Sequence, residues 1–459
     1  LILKDMSKSI DRISSAILNK EKIGIFGDYD VDGASSTALL GNFFKEIKQN
    51  FEIYIPDRKL EGYGPTINGF KKLLEHDIKI IITVDCGTMS FEAINFANHN
   101  KVDVIVIDHH QSETKLPDAF SIINPNQIND ESNLNYLCAA GVCFMFLVSL
   151  NANLKASGWY KKNHLKEPNL LNYLDLVSLG TICDVVPLIG LNRAIVKQGL
   201  KVVNYKKNLG LKTLIDVCNI ETKTSTYHLG YVLGPRINAG GRVGKCSHGA
   251  NLLLNTNPKD TYKLACELDK FNSERKNIEK ELLNIALNTI SEKINDPVLI
   301  LQGVNWHEGI IGIIASRIKE KFNKPTIIIS LENDVGKASA RSIHGFDIGS
   351  VIISAVQNNL LLKGGGHKMA AGFSIKKDQI DNFRDFVFKK FNQIIKDEKK
   401  LNVLYLDSQI SPSALNINFY SNIDKLSPFG SGNPEPKFIL KDIKIIKSLV
   451  VGKKHEFLY

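Results

Sequence analysis

The sequence predicts an α/β protein with two α/β units, joined by a long helix and followed by the start of a small β-barrel. Short β-branched runs alternate with helical patterns over residues 22–110 and again over residues 297–361. Such alternation is typical of mostly parallel sheets with helices on both faces. After residue 400 the pattern changes to short strands and turns, including SPFGSGNPEP at 427–436.

The elements of the first unit follow from these patterns in chain order. Strands are predicted at 22–26, 52–55, 79–84 and 102–107, and residues 138–219 are predicted to be helical. A single helix is predicted over 261–294, and its roughly 34 residues would extend about 50 Å at 1.5 Å per residue. That length suits a connection between two domains.

The second unit is predicted from shorter runs. Its expected elements are strands at 297–301, 326–330 and 337–342 and helices at 309–322 and 348–361, followed by a glycine run at 364–366. We therefore divide the chain into a first α/β domain at 1–220, a loop and connecting helix at 221–294, a smaller α/β domain at 295–397 and the start of a barrel at 398–459.

The composition is that of a globular protein with a basic surface. The 459 residues carry a formal net charge of +10, which favours a polyanionic partner such as nucleic acid. The seven cysteines form no CxxC pair, so a reducing, cytoplasmic setting is expected, and no apolar run approaches the roughly 20 residues of a membrane span. Because the chain starts without Met and stops within a predicted strand, we expect both ends to be incomplete.

Acidic and histidine side chains follow three of the predicted strands. GDYDVDG follows the first, DCGT follows the third and DHH follows the fourth. Because ligands gather at the carboxyl ends of strands in open α/β sheets, these clusters should converge. A single Asp-rich turn is commonly a helix cap, and an EF-hand is disfavoured because its twelfth position, Leu39, is not Glu.

The combined set of carboxylates and histidines indicates a site for two divalent cations rather than a helix cap. Carboxylates packed together repel unless cations neutralise them, and carboxylates with imidazole suit Mn²⁺ or Mg²⁺. A bridging carboxylate can hold two ions roughly 4 Å apart, as in phosphoryl-transfer sites. Asp85 is the candidate bridge.

The motifs DYDVDG, VDCGT, IDHH and LGTICDVVPL, in this order, resemble the amino-terminal motifs of the DHH phosphoesterase superfamily. GPRINAGGRVG, LDKFNSERK, WHEGIIGIIASRI and GGGHKMAAGF resemble its long, single-strand-specific exonucleases rather than its short members. The resemblance covers about residues 20–440, and it implies a DHH domain, a DHH-associated domain and an oligonucleotide-binding (OB-like) barrel that is cut short. One departure is Cys183, where alanine is common.

Residue by residue, the resemblance implies two Mn²⁺ or Mg²⁺ ions and catalytic roles for Asp85, His109 and His110. The implied metal ligands are Asp28, Asp30, Asp32, Asp85, His109 and Asp184. The candidate substrate-binding residues are Arg236, Asn238, Arg242, Ser339, Arg341, Gly364, Gly365, Gly366 and His367. Guanidinium groups and glycine backbones suit phosphate, although arginines in such loops also form surface ion pairs and glycine runs are often only turns.

The resemblance implies a 5′-to-3′ exonuclease that hydrolyses single-stranded DNA to 5′-mononucleotides in repair and recombination. A single-strand-binding protein and a helicase are candidate partners, no membrane is expected, and a monomer is expected. A DHH phosphodiesterase for oligoribonucleotides or cyclic dinucleotides is the alternative enzyme, which the long helix and the barrel-like tail disfavour. A catalytically silent DNA-binding scaffold is the alternative of another class.

Overall fold

The first α/β unit is built on a parallel sheet. The computed structural model describes residues 3–290, 293–395, 404–444, 449–451 and 456–458. The strands are β1 (Ile23–Gly27), β2 (Phe51–Tyr54), β3 (Ile80–Val84), β4 (Asp103–Ile107) and β5 (Ser121–Ile123). Their order is β2-β1-β3-β4-β5, and every pairing is parallel. The four expected strands are confirmed. β5 was not predicted, because three residues are too few for a strand pattern to be recognised in the sequence.

The helices of this unit and of its connection to the second unit pack on the sheet and on one another. They are α1 (Met6–Leu18), α2 (Val31–Glu46), α3 (Ile67–Leu74), α4 (Phe91–His99), α5 (Ala139–Ala156), α6 (Trp159–Lys162), α7 (Leu174–Cys183), α8 (Gly190–Asn204), α9 (Leu209–Val217), α10 (Gly234–Val243), α11 (His248–Leu254) and α12 (Pro258–Ile290). Within the described ranges, α5 alone is long and apolar enough to cross a membrane, and 61% of it is buried. It packs against α1, α2 and α7 in the core of this unit.

The long helix α12 connects the two α/β units, as predicted. Its first half packs on α9 and α10, and its second half contacts the next unit. Glu279 of α12 accepts hydrogen bonds from Arg275 at 2.6 Å and from Arg317 at 3.2 Å. Because Glu279 is largely buried, this ion-pair network ties the helix to the second unit.

The second unit is a mixed sheet with helices. Its elements are β6 (Leu299–Val304), α13 (Glu308–Phe322), β7 (Thr326–Glu332), β8 (Val335–Arg341), α14 (Ile348–Gln357), β9 (Lys363–His367), β10 (Ala370–Lys376) and α15 (Ile380–Ile394). The order is β6-β7-β8-β10-β9, and only β6 and β7 pair in parallel. The helix predicted at 348–361 ends at Gln357, and the glycine run at 364–366 lies in the edge strand β9.

The described part of the tail contains short strands and one helix. β11 (Ser408–Gln409) pairs in parallel with β12 (Phe438–Ile439), and α16 (Ile417–Asp424) lies between them. β13 (Leu449–Val451) pairs with β14 (Glu456–Leu458) in antiparallel fashion. These pairings agree with the expected change to short strands after residue 400.

Candidate metal centre and substrate cleft

The strand order creates a crevice at the carboxyl ends of β1 and β3. In an open parallel sheet of order 2-1-3-4-5, the chain leaves β1 and β3 toward opposite sides, so a crevice opens between them. Three carboxylates follow β1 and Asp85 follows β3, while His109 and His110 follow the neighbouring β4. The topology therefore brings together the motifs that the sequence singles out.

Two of the β1 carboxylates are held by helix amino termini. Asp30 is the N-cap of α2, where its side chain accepts the Gly33 N–H at 3.0 Å. Asp32 is fully buried and accepts the N–H groups of Ala139 and Ala140 at 2.7 and 3.0 Å, at the start of α5. Burial nevertheless raises the pKa of Asp32, although the hydrogen bond from Ala140 opposes this shift.

Gly180 of α7 permits the close approach of Asp32. A Cβ atom at position 180 would lie 2.5 Å from Asp32 Oδ1 and 2.8 Å from the Ala140 side chain. Any larger residue would displace the carboxylate. The glycine in the LGTICD motif therefore has a packing role close to Asp184, a predicted ligand.

Asp85 and His109 occupy the middle of the centre. Asp85 has a left-handed backbone, with φ of 60°, which is strained for a residue with a side chain. His109 Nε2 lies 3.3 Å from Asp85 Oδ1, 3.6 Å from Asp184 Oδ2 and 3.8 Å from Asp32 Oδ2. One imidazole thus faces carboxylates from three different segments.

The donor set fits divalent cations. The potential ligand atoms form three groups, each within 4.8 Å: Asp28, Asp30 and Asp85; Asp32, His109 and Asp184; and Asp85, His109 and His110. Asp28 Oδ1, Asp85 Oδ1 and His109 Nε2 are buried and have no hydrogen-bond partner. Buried polar atoms without partners are costly, and cation ligation would satisfy them.

Burial and the neighbouring carboxylates shift the pKa values of the acidic residues at the centre. Burial, and then the charges of Asp32 and Asp30, raise the pKa of Asp184 to about 8. Burial and neighbouring carboxylates also raise the pKa of Asp85 and Asp28 well above their usual range. The protein alone therefore does not neutralise this cluster, which is the electrostatic setting that a cation would relieve.

Asp108 supports the two histidines from beneath. It is buried and accepts hydrogen bonds from Thr88 Oγ1 at 2.6 Å and from the His109 N–H at 2.8 Å, and it contacts His110 Nδ1 at 2.7 Å. Burial disfavours charged His110, but the bond to Asp108 outweighs it and raises the pKa of His110 to about 9. His110 is therefore a cation at neutral pH.

Two of the predicted substrate residues line one cavity between the two units. Arg242 and Arg341 border a cavity of about 200 Å³ with α13. Arg341 donates to Ser339 Oγ at 3.1 Å, and a Cβ at Gly312 would lie 3.0 Å from that oxygen. Burial and the charges of Arg58, Arg275 and Arg341 lower the pKa of Arg242 to about 10. A buried excess of positive charge suits an anion.

The glycine-rich segment 234–244 is helical, which corrects the prediction of a loop for Arg236, Asn238 and Arg242. These residues lie on α10, where the glycines permit tight packing: a Cβ at Gly241 would lie 3.0 Å from the Tyr29 ring. Arg236 donates to Asp269 at 2.8 Å, so it forms the ion pair that was the alternative interpretation. Asn238 is half-buried on the same helix.

The glycine run is part of a strand, which excludes the alternative that it is only a turn. Gly364, Gly365, Gly366 and His367 belong to β9 and are exposed. Gly364 is needed because a Cβ there would lie 2.7 Å from Phe373, whereas a Cβ at Gly365 meets nothing within 4 Å. The run therefore presents an exposed edge strand, and its contact with substrate stays a prediction.

Sequence reasoning missed three residues beside the centre. Asp108 belongs to the DHH motif, but its sequence position predicts no role for it, because its partners are brought together only by the fold. Tyr63 donates to the Asp85 carbonyl at 2.9 Å and lies 3.1 Å from His110 Nδ1. Arg58 stacks over the Tyr29 ring at 5.3 Å. The signal available for the last two was the RKLEGYG loop that follows β2.

Family comparisons define the class of protein. The model of the DHH family, N-terminal domain, matches residues 22–181, the DHHA1 domain model matches 295–393 and the RecJ OB domain model matches 406–458. The fold and the acidic centre are thus those of a DHH protein with a DHHA1 domain. With the relatives described next, the chain belongs to the RecJ family.

Similar proteins span nearly the whole chain. The single-stranded-DNA-specific exonuclease RecJ of Dickeya dadantii is 32% identical over 99% of this chain and 81% of the relative, and that of Escherichia coli is 33% identical over 99% and 80%. RecJ of Thermus thermophilus in complex with Mn²⁺ has a TM-score of 0.80 at 28% identity, over 96% of this chain and 62% of that one. A Mg²⁺ complex of the same protein has a TM-score of 0.73 at 27% identity, over 95% of this chain and 59% of that one.

Proposed function

We propose that this chain hydrolyses single-stranded DNA from its 5′ end and releases 5′-mononucleotides with the help of two Mn²⁺ or Mg²⁺ ions. The proposal is carried by one observation. In a chain of the RecJ family, the side chains of the DHH motifs converge, and several of their buried atoms have no hydrogen-bond partner. Relatives named as single-stranded-DNA-specific exonucleases support the substrate and the reaction class. A role in DNA repair and recombination follows from that substrate.

The protein residues would hold two adjacent cations. Asp28, Asp30 and Asp85 form one ligand set, and Asp32, His109 and Asp184 form the other. Asp85 contacts both sets because its Oδ1 lies 3.3 Å from His109 Nε2, which supports its role as the bridge. Two bound divalent cations would supply a nucleophile from water at neutral pH and neutralise charge on the scissile phosphate.

His110 is the candidate donor to the phosphate. Its ring is charged at neutral pH because Asp108 holds it, so it can hydrogen-bond to a phosphate oxygen and stabilise the developing charge. The Tyr63 ring packs edge-on against the same imidazole, and its hydroxyl lies 3.1 Å from Nδ1, the atom that also contacts Asp108. Hydrolysis adds water oxygen to phosphorus and breaks the bond from phosphorus to the 3′ oxygen of the terminal nucleotide.

The arginine cavity supports the 5′ polarity. Arg242 and Arg341 place guanidinium groups in the cavity between the units, and the Ser339 hydroxyl accepts a hydrogen bond from Arg341. A terminal phosphate carries more negative charge than an internal one, so this buried cationic site would prefer it. With the 5′ phosphate held there and the next phosphate at the metal centre, one nucleotide would be released per cleavage.

The remaining expectations concern the surroundings of the enzyme. The RecJ OB match and the net charge of +10 support binding of a single strand beyond the cleft. We propose a monomer in the cytoplasm that works with a single-strand-binding protein and a helicase. The domain limits at 220, 294 and 397 likewise remain proposals.

The proposal is tested by the products of cleavage. Purified protein with Mn²⁺ should release mononucleotides from 5′-phosphorylated single-stranded DNA, and Arg242→Lys should weaken the preference for the phosphorylated end. Cleavage of short RNA or a cyclic dinucleotide, with single-stranded DNA left intact, would replace the exonuclease by a small-substrate phosphodiesterase. DNA binding without any cleavage would favour the scaffold.

A further inference from the structure

The SPFGSGNPEP segment docks on the loop that follows the metal ligand Asp184. This loop, residues 184–190, leaves the end of α7 and enters α8. Val185 has a left-handed backbone with φ of 60°, although it is β-branched, so the loop has a conformation that it would not adopt alone. Contacts from elsewhere in the protein must therefore stabilise it.

The inner side of the loop is held by the catalytic domain. Asn192 is fully buried and donates to the Pro187 carbonyl at 3.0 Å and to the Tyr136 carbonyl at 2.7 Å. A Cβ at Gly190 would lie 2.9 Å from the Tyr136 hydroxyl. These contacts fix the end of the loop at α8 but leave its outer side to other partners.

The outer side of the loop is covered by the tail. The Leu188 N–H donates to the Ser431 carbonyl at 2.7 Å, and Leu188 is almost fully buried. Arg193 of α8 donates to the carbonyls of Leu426 and Ser427, the latter at 3.4 Å. Backbone carbonyls of the tail thus bond to both the loop and α8.

The tail glycines allow this close contact. A Cβ at Gly432 would lie 2.9 Å from Pro187 Cβ, and one at Gly430 would lie 2.8 Å from Leu188. Asn433 closes the tail turn by donating to the Leu426 and Pro428 carbonyls at 3.0 and 2.8 Å. The turn is therefore a preformed surface shaped to the loop.

We infer that the turn 426–433 is a positioning element for the metal ligand Asp184, so that the start of the barrel domain helps to set cation affinity. The inference rests on the proposed function, in which Asp184 is a ligand. Asp184 lies only three residues before Pro187, and its carboxylate is the most exposed of those within 4 Å of His109. A ligand at the end of a strained loop depends on what holds that loop.

The inference is tested by Mn²⁺ titration of the full chain, followed by electron paramagnetic resonance. Gly432→Ala should raise the Mn²⁺ dissociation constant about 10-fold, since supporting residues around ligands typically contribute 10–100-fold. Gly158→Ala is the matched control because Gly158 also has φ of 70° but a Cβ there meets nothing within 4 Å. Arg193→Ala should act like Gly432→Ala, and Arg193→Lys should restore part of the affinity.

The outcomes separate this inference from the proposed function. Weaker Mn²⁺ binding in Gly432→Ala and Arg193→Ala, with wild-type circular dichroism and activity recovered at high Mn²⁺, would support positioning. Unchanged Mn²⁺ affinity in both variants, while Asp184→Asn loses a cation, would overturn the inference and leave the function standing. Unchanged binding in Asp184→Asn would remove the ligand role and the inference together.

Discussion

At the residue scale, Asp108 shows how one buried carboxylate organises the histidines. It does not belong to any of the three potential ligand groups, yet it accepts bonds from Thr88 and both backbone N–H groups of the following histidines. It fixes His110 as a charged donor and aims His109 at the ligand carboxylates. Residues that orient ligands in this way typically affect metal affinity or activity 10–100-fold.

Asp108→Asn is therefore expected to lower the exonuclease rate about 10–100-fold without unfolding the protein. The amide cannot hold the imidazolium form of His110, so the pKa of His110 should fall from about 9 toward its ordinary value. NMR titration of His110 measures this shift directly. A wild-type rate together with an unshifted pKa would contradict the account, and His228→Gln, remote from Asp108, is the control.

The stability contribution of His110 has a defined pH window. Its folded pKa, about 9, is above the unfolded value of about 6.5, so the contribution is fully present below pH 6.5 and is lost as the pH rises through 9. Asp108→Asn should consequently cost more stability at pH 6 than at pH 10. Urea denaturation at both pH values measures the difference. An equal loss of stability at pH 6 and pH 10 would show that Asp108 does not stabilise a charged His110.

The convergence of the candidate ligands was predictable from sequence because their motifs follow strands whose ends must meet. DYDVDG and DHH announce Asp30, Asp32 and His109 without any knowledge of distances. Tyr63 could not be predicted, since it reaches Asp85 and His110 from a loop with no regular pattern. The substrate roles of the predicted residues stay predictions.

At the element scale, α10 explains why a glycine-rich segment that reads as a loop in the sequence is a helix in the structure. Glycines usually indicate loops, but here they let α10 pack closely on Tyr29 and Cys183. The helix then separates the arginines: Arg242 faces the cavity, and Arg236 pairs with α12. Helical geometry, which the glycines concealed, decides which guanidinium can meet a phosphate.

Arg242→Lys and Arg341→Lys are expected to raise the KM for 5′-phosphorylated DNA about 10–100-fold, because a charged hydrogen bond contributes about 1.5–3 kcal/mol. The kcat should change little if the contact is the same in ground and transition states. Arg236→Lys is the matched control, since its partner is Asp269. An equal rise in KM for all three variants would contradict the proposal that the cavity binds the 5′ phosphate.

The contact of α7 with Asp32 gives a second prediction at this scale. Gly180→Ala would force a Cβ against a buried carboxylate, so it should destabilise the protein by about 1–3 kcal/mol and weaken Mn²⁺ binding. Gly141→Ala on α5 is the control, because its Cβ would meet only the flexible side chain of Leu137 at 3.3 Å. Comparable Mn²⁺ binding in the two variants would show that Asp32 tolerates displacement.

At the scale of the whole molecule, the centre couples folding to pH and to cations. The folded pKa of Asp184, about 8, is above the unfolded value of about 3.9. The stability that it contributes is therefore present below pH 4 and lost as the pH rises through 8 in the metal-free protein. The pKa values of Asp85 and Asp28 are also raised, so their contributions to stability have the same sign as that of Asp184.

Mn²⁺ should consequently stabilise the protein more at pH 8 than at pH 6. Binding displaces protons from these carboxylates, and each displaced proton adds about 1.4 kcal/mol per pH unit. The increase in Tm on adding Mn²⁺ is expected to be several degrees larger at pH 8. Differential scanning fluorimetry measures it, with Asp85→Asn as the control, and an increase independent of pH would contradict the coupling.

The two-unit architecture was largely predictable, because strand and helix periods in the sequence are strong over 22–110 and 297–357. The long connecting helix was also predicted, and the structure places it at Pro258–Ile290. The docking of the tail on residues 187–193 was not predictable, since it depends on backbone carbonyls that have no sequence signature. Long-range contacts of this kind become visible only in the fold.

The most direct test follows single-stranded DNA labelled at either end during incubation with Mn²⁺. Early release of labelled mononucleotide from the 5′ label is expected, together with late release from the 3′ label and no release by Asp85→Ala. Release from the 3′ label first, or undiminished activity in Asp85→Ala, would overturn the proposal that this acidic centre degrades single strands from the 5′ end.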